Sequence, residues 1–191
     1  VIDCTGLTLM PGAIDGHVHF REPGGEKKED WLTGSRSAAK GGITTVLDMP
    51  NNNPPVIDQE SLDLKRERAK KSIVNYGFHF GATTKNLDLI KNIEGIAGVK
   101  IYFGSSTGNL LVDNPDDVKK IFTEANRVFL VHAEDEKLIQ SKIHDFKDLN
   151  DPLIHTDIRP PRAAIKAVRD ILKLVEITKA RVHFCHVSTA G

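Results

Sequence analysis

The chain has 191 residues, and its 26 lysines and arginines balance its 26 aspartates and glutamates, so the formal net charge is +0. This balance excludes the global basic field with which proteins attract nucleic acids or anionic membranes. The two cysteines, Cys4 and Cys185, offer no disulfide framework, and no apolar run is long enough to span a bilayer or to act as a signal peptide. We therefore expect a cytoplasmic protein.

Strand-like and helix-like segments alternate along the chain. Short apolar, β-branched or aromatic runs predict six strands, at residues 13–20, 44–49, 76–82, 99–103, 128–132 and 182–186. Segments between them predict six helices, at residues 30–40, 59–72, 86–92, 115–125, 134–143 and 161–178, with Asp58 and Asn114 as N-caps. The charged run at residues 65–71 is typical of a solvated helix face. The βα repetition predicts a parallel sheet with right-handed crossovers.

The first predicted strand carries two histidines, and an arginine follows it. Because side chains alternate faces along a strand, His17 and His19 point the same way, and Arg21 continues that face. Imidazoles suit zinc and similar metals, and a guanidinium presents a planar fork to a carboxylate. Histidine pairs also occur on solvated strands, so this segment alone leaves the metal and solvent interpretations open.

Further polar residues lie at or near the ends of later strands: Asn51, Lys100, His132 and His186. A (β/α)8 barrel collects functional groups at the C-terminal ends of many successive strands, whereas a doubly wound sheet collects them at one switch point. The dispersion therefore favours the barrel. Lys100 lies inside an apolar strand, where it either reaches outward to solvent or reacts with CO2 to give a carbamate that could bridge two metals. Two adjacent metals could activate a water and polarise an amide carbonyl.

These patterns predict the α/β fold class, with a partial TIM-type (β/α)8 barrel of about six βα units at residues 12–191. Residues 1–11 are interpreted as the end of a small β domain. Because a barrel of this kind usually needs roughly 200 residues or more, we expect an incomplete fragment. Further chain or a partner would cover its open edge.

Five ordered segments resemble the motifs of dihydroorotases in the amidohydrolase superfamily. They are Pro11-Gly12-Ala13-Ile14-Asp15-Gly16-His17-Val18-His19-Phe20-Arg21-Glu22-Pro23-Gly24, Met49-Pro50-Asn51-Asn52-Asn53-Pro54-Pro55, Val99-Lys100-Ile101-Tyr102-Phe103-Gly104-Ser105-Ser106-Thr107-Gly108, Val131-His132-Ala133-Glu134 and His186-Val187-Ser188-Thr189-Ala190.

The resemblance implies two zinc ions. Carried over residue by residue, His17 and His19 bind one, His132 and His186 bind the other, and carboxylated Lys100 bridges both. Arg21 and Asn51 hold the carboxylate of the substrate. The implied reaction is the reversible hydrolysis of the cyclic amide of dihydroorotate to N-carbamoyl-aspartate, in de novo pyrimidine biosynthesis. The family's acid/base aspartate follows strand eight, beyond Gly191, so we expect no catalytic residue in this chain and the fragment itself could be inactive.

Two alternatives stay open. Hydantoinases, dihydropyrimidinases and allantoinases share the metal ligands, but hydantoins and dihydrouracil lack the free carboxylate that Arg21 would bind, which favours dihydroorotase. A catalytically silent relative could instead be a structural partner, for instance of a transcarbamoylase. Silent relatives usually lose ligands, and this chain keeps five. We also expect a homo-oligomer.

Three other features carry structural expectations. The segment Arg159-Pro160-Pro161-Arg162-Ala163-Ala164 resembles an Arg-Pro-x-x-Ala-Glu segment of the family, with Ala164 in place of the acid, and its role is expected to be structural. Asp48 is expected to make a structural hydrogen bond. Cys185 is expected to point away from the site, into packing.

Overall fold

The computed structural model describes residues 1–104, 110–146 and 151–190. Part of the third motif, residues 105–108, and Gly191 of the predicted barrel lie outside these residues. Strands and helices alternate in the order β1 Ala13–Val18, α1 Trp31–Lys40, β2 Ile43–Asp48, α2 Gln59–Ala69, β3 Asn75–Gly81, α3 Leu87–Asn92, β4 Gly98–Phe103, α4 Pro115–Glu124, β5 Val128–Ala133, α5 Glu136–Asp145, α6 Ile154–Ile158, α7 Pro161–Thr178 and β6 Arg181–Phe184.

The strands form one parallel sheet in the sequential order β1-β2-β3-β4-β5-β6. A doubly wound sheet would reverse its strand order at a switch point, and this sheet does not. The prediction of a partial (β/α)8 barrel is therefore confirmed. All six residues of β4 are buried, as is typical of a parallel strand covered on both faces.

The helices begin where the sequence indicates. The Asp58 side chain accepts a hydrogen bond from the Ser61 N–H in a capping box, and the Asn114 side chain accepts one from the Asp116 N–H. Apolar helix residues such as Ile121 and Ile171 pack into the main hydrophobic core with the sheet. The backbone thus holds the C-terminal ends of neighbouring strands at one edge.

Some boundaries differ from the prediction. The structure contains α6, a five-residue helix that is too short to show a helical period. β1 ends at Val18 and β6 at Phe184, so His19 and His186 lie just beyond their strands.

Residues 1–12 are exposed and contain a turn at Thr5–Gly6, and their assignment to a separate β domain stays a prediction. In the described part of the chain, no helix has the length and apolarity needed to cross a membrane.

Candidate metal centre

One cavity of about 260 Å³ at the C-terminal ends of the strands brings together the residues singled out from the sequence. Its lining consists of His17, His19, Arg21, Asn51, Lys100, Tyr102, His132 and His186. Tyr102 is the one member that sequence reasoning did not identify. Side chains from five of the six βα units thus meet at one point, as expected for a site at the top of a barrel.

The two histidines of the first unit are spaced like ligands of one ion. His17 Nε2 and His19 Nε2 lie 3.3 Å apart. Tetrahedral zinc with Zn–N bonds of about 2.0–2.1 Å separates two ligand nitrogens by roughly 3.4 Å. The Oδ1 atom of Asn51 lies 2.8 Å from His19 Nδ1. With a proton on Nδ1, His19 donates to Asn51 and keeps its Nε2 lone pair directed towards His17.

The second pair joins the ends of β5 and β6. His132 Nδ1 lies 3.1 Å from His186 Nε2. The rings of His186 and His17 are 5.4 Å apart between centroids, which links the two pairs. Arg21 and His186 have φ values of 60° and 38°, a region that costs free energy for residues other than glycine. Strain of this kind is concentrated at functional sites, and here it falls on two residues of the cavity.

Lys100 points inward. Its side chain is almost fully buried, with Nζ 3.1 Å from Cys185 Sγ and 5.1 Å from the centroid of the Tyr102 ring. Burial lowers the pKa of the Lys100 amine below its ordinary value. Cys185 is buried as expected, but it contacts Lys100 instead of pointing away from the site. The expected alternation fails there because β6 has already ended at Phe184.

Three of the four histidines, His17, His19 and His186, are in surroundings that favour the neutral form, which binds metals. Burial, the charge of Lys100 and the neighbouring imidazoles together lower the pKa of His17 to about 3. Burial also lowers the pKa values of His19 and His186. A neutral imidazole has a lone pair to donate, whereas a protonated one has none.

Among the residues described, no three or more histidine, cysteine, aspartate or glutamate side chains surround a single point. The donors are therefore two imidazole pairs, and these fit two ions that each need further ligands.

An acidic residue that sequence reasoning missed contacts the second pair. Glu134 Oε2 lies 2.6 Å from His132 Nε2 and also bonds to Arg159 Nη1. Partial burial raises the pKa of Glu134, but the hydrogen bond with His132 and the charge of Arg159 outweigh this effect, so the pKa is lowered. The available signal was the two-residue spacing of His132 and Glu134 in Val131-His132-Ala133-Glu134, because side chains two positions apart lie on the same side of a strand.

A buried ion pair supports the chain segment that carries His17 and His19. Lys65 of α2 lies 2.6 Å from Asp48 Oδ2, and both side chains have 0% exposure. Lys65 also donates to the Met49 carbonyl and to Asn52 Oδ1, while Asp48 Oδ1 accepts from the Phe20 N–H. The structural role expected for Asp48 is confirmed. The solvated face expected for residues 65–71 is wrong at Lys65, because its stem reaches under the ends of β1 and β2.

Comparison with known proteins finds relatives over nearly the whole chain. The profile of the amidohydrolase family matches residues 8–181. The dihydroorotase of Methanosarcina acetivorans is 38% identical over 99% of this chain and 42% of its own length, and the allantoinase of Salmonella newport is 32% identical over 99% and 45%. The structure of L-hydantoinase (dihydropyrimidinase) from Arthrobacter aurescens superposes with a TM-score of 0.89 at 28% identity, covering 98% of this chain and 44% of that one. The chain thus spans less than half the length of these proteins.

Proposed function

The chain belongs to the amidohydrolase family, and on that premise we propose that the protein is a dihydroorotase. It would hydrolyse the cyclic amide of dihydroorotate reversibly to N-carbamoyl-aspartate, a step of pyrimidine synthesis. One observation carries the proposal: Arg21 lines the same cavity as four imidazoles and a buried lysine. Dihydroorotase relatives at 37–39% identity support the same substrate.

The donor set suits two zinc ions. His17 and His19 would hold one, and His132 and His186 the other. A lysine adds to CO2 as its neutral amine, with formation of an N–C bond and loss of a proton, and burial lowers the pKa of the Lys100 amine towards that reaction. The resulting carbamate would supply an oxygen to each ion. When bound, the metals would supply Lewis-acid activation of water and of the amide carbonyl.

The residues around the histidines would position the substrate. Arg21 presents its guanidinium to the carboxylate of dihydroorotate, which orients the ring amide towards the centre of the cavity. Asn51 lines the same cavity and also contacts His19, so one side chain would connect substrate binding with ligand orientation. Tyr102 lies beside Lys100 and lines the same cavity.

A second candidate function, hydrolysis of another cyclic amide such as allantoin or hydantoin, is favoured by the relatives. Allantoinases at 32% identity and hydantoinase structures at 24–28% identity share the fold or family. The imidazoles cannot separate these activities, because the resemblance implies the same metal ligands for all of them. Arg21 can separate these activities, because its positive charge would be unpaired beside a substrate that has no carboxylate. A catalytically silent partner protein would instead turn over none of these substrates.

We predict that Arg21→Ala lowers kcat/KM for dihydroorotate about 100-fold, because a charge-assisted pair worth about 3 kcal/mol is lost. The zinc content should not change, because the guanidinium is not among the donors. Activity is measured on the protein in its full natural length, against dihydroorotate, hydantoin, dihydrouracil and allantoin.

Arg162→Ala is the matched control, because Arg162 is exposed and lies outside the cavity lining. It should behave like the wild type. Normal dihydroorotate turnover by Arg21→Ala, or a wild type that prefers hydantoin or allantoin, would contradict the substrate assignment.

A further inference from the structure

The two ring nitrogens of His132 have different neighbours. Nδ1 faces His186 Nε2 at 3.1 Å, inside the metal centre. Nε2 lies 2.6 Å from Glu134 Oε2, on the opposite side of the ring. A carboxylate accepts hydrogen bonds, so this contact places the proton on Nε2 and leaves the lone pair on Nδ1. The contact thus selects the tautomer that His132 needs as a ligand.

Arg159 anchors the carboxylate. Its Nη1 bonds to the same Oε2 atom of Glu134. Arg159 lies between α6 and α7, so it reaches the end of β5 from a separate part of the chain. The Glu134 side chain is 17% exposed and that of Arg159 is 30% exposed, so water screens this pair only in part. The guanidinium thereby holds the Glu134 side chain directed at the ring.

Packing alone does not fix His132. A second cavity of about 340 Å³ opens beside the ring and is also lined by Glu134, Arg159 and His186. With open space on this side, the ring could turn or exchange its tautomer if it had no polar partner. Oε2 of Glu134 is already shared by His132 Nε2 and Arg159 Nη1, so this oxygen is engaged away from Nδ1, the ring atom that faces His186. This arrangement argues against Glu134 as a direct ligand.

We infer that Glu134 and Arg159 are positioning residues that lock His132 in its Nε2–H tautomer and aim its Nδ1 atom at the metal. This inference rests on the proposed metal-dependent function. Partners of this kind fix the ring orientation of ligating histidines, and their loss typically weakens metal binding by about 10- to 100-fold. The Arg159 segment, expected from the sequence to be structural, thereby acquires a role at the metal centre.

The test measures the tautomer of the His132 ring directly. Two-bond ¹H–¹⁵N spectra of the metal-free protein at mildly alkaline pH distinguish the two neutral tautomers, and His132→Gln identifies the signals of this ring. We expect a single Nε2–H tautomer in the wild type and a mixture in Glu134→Ala. Glu134→Gln should retain part of the preference, because its amide oxygen still accepts a hydrogen bond. Arg159→Ala should shift the ring in the same direction by less, and Arg159→Lys should restore it.

Zinc affinity, measured by chelator competition on the same samples, supplies the second readout. The dissociation constant should rise about 10- to 100-fold in Glu134→Ala. Glu124→Gln is the control for Glu134→Gln, because Glu124 pairs with Lys91 on the outside of α4. It should leave both readouts unchanged.

Unchanged His132 signals in Glu134→Ala would overturn the inference, whatever happens to zinc. Complete loss of zinc with an unchanged ring would instead identify Glu134 as a ligand. A wild type that binds no zinc would contradict the proposed function alone, because the ring signals of the metal-free variants would still confirm or refute the positioning.

Discussion

Lys65→Ala is expected to destabilise the protein by about 3–5 kcal/mol, the usual cost of leaving one member of a buried ion pair uncompensated. The Lys65 and Asp48 side chains have 0% exposure, so water cannot reach the stranded carboxylate. The variant also loses the hydrogen bonds to the Met49 carbonyl and to Asn52. Urea unfolding monitored by circular dichroism measures the loss.

Two further variants define the cause. Lys70→Ala, which removes an exposed pair between Glu67 of the same helix and Lys70 just after its end, should leave the unfolding midpoint unchanged. Lys65→Met combined with Asp48→Asn removes both charges but keeps an acceptor for the Phe20 N–H, and it should recover most of the lost stability. If Lys65→Ala unfolds at the same urea concentration as Lys70→Ala, the buried pair is not the support that we describe.

Lys100→Met is expected to lower zinc affinity by at least roughly 100-fold, the upper end of what outer partners of a metal contribute. The methionine side chain has a similar length but no amine to form a carbamate. Its effect on folding should be neutral or stabilising, because an apolar group replaces a buried amine whose Nζ contacts Cys185 Sγ. Zinc retention after dialysis and urea unfolding are measured on the same variant.

Lys85→Met is the matched control, since Lys85 is exposed and lies outside the cavity. It should retain zinc as the wild type does. Incubation with ¹³C-labelled bicarbonate should add a carbamate signal to the wild type and to Lys85→Met, and none to Lys100→Met. Equal zinc retention in Lys100→Met and the wild type would contradict the proposed role of Lys100.

The fold and the cavity were predictable because they depend on short-range patterns. Period-two alternation placed His17 and His19 on one side, and the ends of successive strands placed His132 and His186 near them. The helical and strand periods were strong enough to give six of the helices and all six strands, apart from their boundaries.

The supporting contacts were not predictable because they join distant segments. Arg159 reaches Glu134 across 25 positions, and the intervening α6 is too short to show a period. Lys65 lies in a run of mixed charges that is typical of an exposed helix face, and only the tertiary fold directs it beneath β1 and β2. The contact between Cys185 and Lys100 depends on β6 ending at Phe184, a boundary that the apolar pattern does not mark.

Zinc content and dihydroorotate hydrolysis, measured in the same sample of the protein in its full natural length, test the proposed function most directly. We predict two zinc ions per chain, turnover of dihydroorotate in preference to hydantoin and allantoin, loss of metal and turnover together on chelation, and recovery of both when zinc is restored. Turnover that persists after the metal has been removed would contradict the metal centre. A zinc-loaded protein that leaves dihydroorotate unchanged would contradict the proposed reaction.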